Sequence, residues 1–148
     1  MEMVLEDDIK EIYKSIETSI KNMHGKTVLI TGAAGFLGRY FMSLLTYSNQ
    51  INSGKPITII ALDNYITSGK PAGNNILRDD KNVEWIVGDA SIGSQLPNKF
   101  DFIIHTAGIA SPEHYRANPL LTIDVTINVT KDLLERAKTD KSRMLFLY

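Results

Sequence analysis

Cysteine is absent from the 148 residues, which removes disulfides, thiolate nucleophiles and thiolate zinc sites together and is compatible with a reducing compartment. An excess of either charge is lacking too: 16 Lys and Arg stand against 17 Asp and Glu, a formal charge of −1. The chain therefore has no basic face for a phosphate backbone, and no nucleic-acid partner is expected. No apolar run approaches the roughly eighteen residues that a membrane span needs. Met1–Lys10 is acidic where a secretory leader starts basic. A cytoplasmic protein with no membrane partner is the expectation. What is present is ordinary globular composition, 43% hydrophobic and 22% charged. At this length folding hides about 70% of the unfolded surface, so one core is expected, without linker or repeat.

Leu5, Ile9, Ile12, Ile16 and Ile20 recur at spacings of three and four, one face of a helix. Residues 1–24 are predicted as an amphipathic N-terminal helix packed on the domain, and residues 25–148 as the domain itself. After Gly25, five β-branched and apolar runs follow: Lys26–Thr31, Ile57–Leu62, Val83–Val87, Phe100–His105 and Met144–Tyr148. Their continuous apolarity predicts strands covered on both faces. Helical periodicity fills Phe36 to about Asn49 and about Leu120 to Lys138, the latter with Leu121, Val125, Val129, Leu133 and Leu134 along one side. A short helix is predicted near Asn74–Arg78, inside an otherwise long loop. Strands alternating with helices predict an α/β fold with a parallel sheet.

The strand ends carry the chemistry. Thr31–Gly38 reads TGAAGFLG where a strand ends and a helix begins. Glycines at 32, 35 and 38 permit a tight turn, close approach of a pyrophosphate and close packing of the new helix, whose first amides and dipole face the phosphates. The spacing departs from G-x-G-x-x-G, since Ala34 holds the middle position, and a tight turn without ligand fits the same trio. The second strand runs into Asp63, placed to accept both ribose hydroxyls of an adenosine and to repel a 2′-phosphate, which favours NAD over NADP. Asp63-Asn64 also suits a simple turn. The third strand runs into Gly88-Asp89-Ala90 and the fourth into His105-Thr106-Ala107-Gly108, where small residues let a flat cofactor approach the backbone.

TGAAGFLG, LDN, GDA and HTAG, in this order and spacing, resemble the extended short-chain dehydrogenase/reductase superfamily, and within it the NAD-dependent epimerase/dehydratase family acting on nucleotide sugars. The resemblance covers about Lys26 to Tyr148. It implies a Rossmann-like, doubly wound parallel sheet in order 3-2-1-4-5, with the N-terminal helix added outside it. It also implies that the loop residues Gly32, Ala34, Gly35, Phe36, Leu37 and Gly38 bind the NAD pyrophosphate. Asp63 and Asn64 would hold the adenosine ribose, Asp89 and Ala90 meet the adenine, and Thr106, Ala107 and Gly108 line the nicotinamide side. Ala110–Pro119, ASPEHYRANP, is most similar to the UDP-glucuronate decarboxylase branch. The helix beyond departs from that branch, with Thr126 where Asn is common and Val129 where Gly is common.

The superfamily's Tyr-x-x-x-Lys pair is missing. The residues four beyond Tyr13, Tyr40, Tyr47, Tyr65 and Tyr115 are Glu17, Leu44, Ile51, Gly69 and Pro119, and Tyr148 ends the chain. No catalytic residue is therefore assigned. The resemblance implies that the Ser/Thr, Tyr and Lys lie beyond Tyr148, and that the chain is the cofactor-binding half of a nucleotide-sugar epimerase, 4,6-dehydratase or decarboxylase, able to bind but not to turn over. The alternative is a non-catalytic dinucleotide-binding module that senses cofactor or pairs with another chain. His24, His105 and His114 lack ligand spacing, so no metal is expected. An unpaired fifth strand predicts self-association.

Overall fold

The computed structural model describes residues 6–67, 80–90, 96 and 99–146. The short helix expected at Asn74–Arg78 lies outside them, as do Leu5 and the last two residues of the expected fifth strand. Helix α1 (Glu6–Lys21) opens on Glu6, Asp7 and Asp8 and closes on Lys21, the charge order that suits the helix dipole. Its stripe buries Ile9, Tyr13 and Ile20. Tyr13 meets Tyr47 of α2 (Phe36–Ile51) edge to face, with ring centroids 5.4 Å apart.

Strands β1 (Thr27–Thr31), β2 (Thr58–Asp63), β3 (Val83–Val87), β4 (Phe102–His105) and β5 (Arg143–Phe146) form one parallel sheet in the expected order β3-β2-β1-β4-β5. Alternate side chains feed two cores. Val28, Ile30, Ile59 and Ala61 pack with Met42 and Leu45 under α1 and α2. Leu29, Ile60, Leu62 and Ile103 pack on the other face against Val129, Leu133 and Ala137. The central strands are covered on both faces, as their continuous apolarity predicts, whereas β3 is not: it is an edge strand whose Val87 is 60% exposed. Edge position is a property of the assembled sheet, and the local run of apolar residues does not encode it.

The single helix predicted from about Leu120 to Lys138 is a compound element. It consists of α4 (Pro119–Asp124), a π-helical turn (Val125–Val129) and α5 (Thr130–Asp140), and a short helix α3 (Pro112–Ala117) that the periodicity did not mark precedes it. Asn118 leaves helical geometry at φ −133° and Pro119 starts afresh. The hydroxyl of Thr122 donates to the Asn118 carbonyl at 2.9 Å and that of Thr126 to the Thr122 carbonyl at 2.7 Å. Such side-chain bonds to carbonyls one turn back bend a helix and accompany the widened turn.

Candidate functional site

The chain leaves β1 toward β2 on one side and enters β4 on the other, so the carboxyl ends of β1 and β4 flank the point where strand order reverses, where open α/β sheets collect ligands. From Thr31 the backbone turns through Gly32–Gly35 into α2. The amides of Gly32 and Ala33 donate to the Leu62 carbonyl (2.9 and 3.2 Å), that of Ala34 to Asp63 Oδ2 (2.9 Å) and that of Gly35 to the Gly32 carbonyl (3.0 Å). The first helical bond is Arg39 N–H to the Gly35 carbonyl. The amides of Phe36, Leu37 and Gly38 therefore have no intrahelical acceptor, and no side chain caps the helix. Gly32 has φ +71°, and a Cβ there would lie 2.6 Å from the Ala107 nitrogen; at Gly38 it would run into the Gly32 carbonyl oxygen. Both positions require glycine.

Asp63 is 8% exposed, and its second oxygen accepts the Tyr65 amide at 2.7 Å. Each oxygen keeps a further lone pair for a ligand hydroxyl. Tyr65 adopts φ +60°, costly for an aromatic residue, and turns the chain sharply after Asn64. Asn64 Nδ2 donates to Asp89 Oδ2 at 3.4 Å, and the Gly88 amide donates to the Asp63 carbonyl at 3.1 Å, joining the ends of β2 and β3. On the other side the Thr106 hydroxyl donates to the Thr31 carbonyl at 2.7 Å.

These ends enclose a cleft that is open to solvent. Gly32, Gly35, Asp63, Asn64, Asp89, Ala90, Thr106, Ala107 and Gly108 line it, from four separate stretches of sequence. Ala34, Phe36, Leu37 and Gly38 do not line it. Ala34 is committed to Asp63, Gly38 packs on the loop, and the side chains of Phe36 and Leu37 are 63% and 41% exposed, which leaves their amides as the useful groups. Sequence reasoning missed the opposite wall, made by Leu121, Asp124, Val125 and Val129, and the rim residues Ile66, Thr67 and Ile109. The apolar stripe had marked Leu121, Val125 and Val129 only as helix core; nothing local marked Asp124.

Of the histidines, His24 staples α2 to the following loop, its Nε2 2.8 Å from Ser48 Oγ and its Nδ1 3.1 Å from the Lys55 carbonyl. His105 is buried beneath the cleft, and burial pushes its pKa below the ordinary value. Among the described residues no group of three or more His, Asp or Glu gathers as a metal site, and no helix is long and apolar enough to cross a membrane.

Residues 28–148 match the NAD dependent epimerase/dehydratase family. The chain belongs to that family. It is 30% identical over 121 residues to UDP-glucuronic acid decarboxylase 2 of Arabidopsis thaliana, a match covering 82% of this chain and 25% of the relative. The chain thus spans about a quarter of that relative's length. The epimerase Mth375 of Methanothermobacter thermautotrophicus superposes over 90% of this chain and 38% of its own, with TM-score 0.67 and 24% identity. The Bordetella bronchiseptica enzyme WbmF, solved in complex with NAD+, covers 84% of this chain and 36% of its own, with TM-score 0.64 and 19% identity. Together with the strand order, these likenesses establish the Rossmann-like fold.

Proposed function

We propose that this family member is the NAD-binding portion of a nucleotide-sugar-modifying enzyme of the UDP-glucuronate decarboxylase type. The observation that carries the reading is the convergence of four strand-end segments on one cleft. The free amides of Phe36, Leu37 and Gly38, at the positive end of α2 and beside Gly32 and Gly35, suit a pyrophosphate. Asp63 and Asn64 take the adenosine ribose, Asp89 and Ala90 the adenine, and Thr106, Ala107 and Gly108 the nicotinamide side. Ala34 contributes by holding Asp63. A Cβ placed on Gly108 would meet nothing within 4 Å, so the fourth strand end leaves room for a flat group.

NAD held by these residues would supply reversible hydride transfer at the sugar C4. This chain's own residues bind and orient. The relatives' names support UDP-glucuronate as the substrate of the whole protein. A second reading is a non-catalytic dinucleotide-binding module that uses the same cleft. Release of carbon dioxide from UDP-glucuronate by the protein isolated from its source separates the two. Among the described residues strand β5 lies at a sheet edge, which supports self-association of the 148-residue chain through it; a monomer at high concentration in sedimentation overturns that part.

Calorimetric titration of the folded chain with NAD and with NADP tests the central claim. Saturable binding that prefers NAD and weakens in Asp63→Ala is expected. No binding by a chain that circular dichroism shows to be folded overturns it.

A further inference from the structure

One buried imidazole links three of the segments that border the cleft. His105, the last residue of β4 and 4% exposed, has Nδ1 2.6 Å from Thr31 Oγ1 at the end of β1 and Nε2 3.2 Å from Thr130 Oγ1 at the start of α5. Each member of the trio is the chain neighbour of a cleft-lining residue: Thr31 of Gly32, His105 of Thr106, and Thr130 of Val129. We propose that His105 is a positioning residue for the cleft, its ring bridging the two threonines and so setting the spacing of Gly32, Thr106 and Val129. This rests on the dinucleotide reading of the cleft and adds to it a residue that does not touch the ligand.

Burying three polar side chains where apolar ones would fill the space is unfavourable unless their hydrogen bonds are made. Thr31 is 0% and Thr130 7% exposed, so both hydroxyls depend on the ring for that role. A neutral imidazole offers one donor and one acceptor, and a hydroxyl can serve as either, so the bridge closes without a charge. Burial holds the ring neutral by lowering its pKa. Its planarity fixes the separation of the two nitrogens, which a flexible side chain cannot do. The π turn immediately before Thr130 brings Val129 to the cleft and the Thr130 hydroxyl to the ring, in keeping with the frequent placing of such turns at functional sites.

Thr130→Val keeps the shape and removes the hydroxyl, whereas Thr130→Ser keeps the hydroxyl and removes a methyl group. Two readouts are taken: NAD affinity by calorimetry, and amide hydrogen exchange of Gly32 and Thr106 in the free chain. Positioning through the hydroxyl predicts about tenfold weaker NAD binding and faster exchange at both amides in Thr130→Val, with the Thr130→Ser values at wild type. Wild-type behaviour of Thr130→Val, or equal loss in both variants, overturns the proposal. If the wild-type chain itself does not bind NAD, the cofactor reading fails, and the exchange rates still decide on His105: unchanged protection in Thr130→Val overturns it. Should Thr130→Val fail to fold, the ring nitrogens of wild-type His105 are read by NMR. A single neutral tautomer supports the bridge, and rapidly averaged tautomers overturn it.

Discussion

The carboxylate of Asp63 at the end of β2 accepts the Ala34 amide of the glycine loop at 2.9 Å, so the residue proposed to read the ribose also fixes the loop proposed to hold the pyrophosphate. Each hydrogen bond to a charged group contributes about 1.5–3 kcal/mol. Asp63→Ala leaves the Ala34 and Tyr65 amides without their acceptor, and is expected to lower folding stability by at least ~2 kcal/mol while also weakening NAD binding. Asp63→Asn, which keeps one acceptor oxygen, is expected to cost less. Urea unfolding of the free chain measures the first effect; unchanged stability in Asp63→Ala would show the loop to be held by other contacts.

The glycine loop gives a graded series. Gly38→Ala forces a methyl group against the Gly32 carbonyl and Ala33, both backbone, and is expected to destabilise by about 3 kcal/mol. Gly32→Ala combines a positive φ with contact on Ala107 and should be comparably damaging. Gly54→Ala meets nothing within 4 Å, so its stability should stay within about 0.5 kcal/mol of wild type. Thermal or denaturant midpoints rank the three, and equal effects would remove the geometric explanation.

The strands and the strand-end motifs were legible because a doubly covered parallel strand is a continuous apolar run and a strand-to-helix turn needs glycine, both local signals; the strand order followed only from the resemblance that the four motifs carry together. The rest of the site depends on distance in sequence. Asp63 and Ala34 are 29 residues apart, and His105 lies 74 residues from Thr31 and 25 from Thr130. A lone His at a strand end carries no mark of such partners. Leu121 and Val125 show the same limit: a helical stripe identifies an apolar face, but only the packed sheet decides which part of it meets core and which meets a cleft.

His105 also sets a pH dependence. Burial lowers its folded pKa below the ordinary 6.5, so below that pH the unfolded chain binds the proton more readily than the folded one. The stability it contributes is complete above about 6.5 and declines as pH falls through the window toward the folded pKa, by up to about 1.4 kcal/mol per pH unit for one proton. Unfolding free energies measured from about pH 7.5 to 5 should therefore fall more steeply for wild type than for His105→Gln. Parallel curves would show that His105 binds its proton equally well in the folded and unfolded chains.

Helix α1 precedes the residues matched to the family, which begin at 28, yet Ile9, Tyr13 and Ile20 are at most 4% exposed. Tyr13 is its anchor: the ring meets Tyr47, and its hydroxyl accepts Asn52 Nδ2 at 3.2 Å, both on or at the end of α2. Truncating a buried aromatic side chain costs about 3–5 kcal/mol, so Tyr13→Ala should be strongly destabilising, and Tyr13→Phe should lose only about 1 kcal/mol for the hydrogen bond. None of the α1 residues lines the cleft. Tyr13→Ala, held well below its lowered melting temperature, should therefore bind NAD with the wild-type Kd. A tenfold weaker Kd in the folded variant would mean that α1 acts through α2 on the free amides of Phe36, Leu37 and Gly38, and that the helix belongs to the binding machinery as well as to the core.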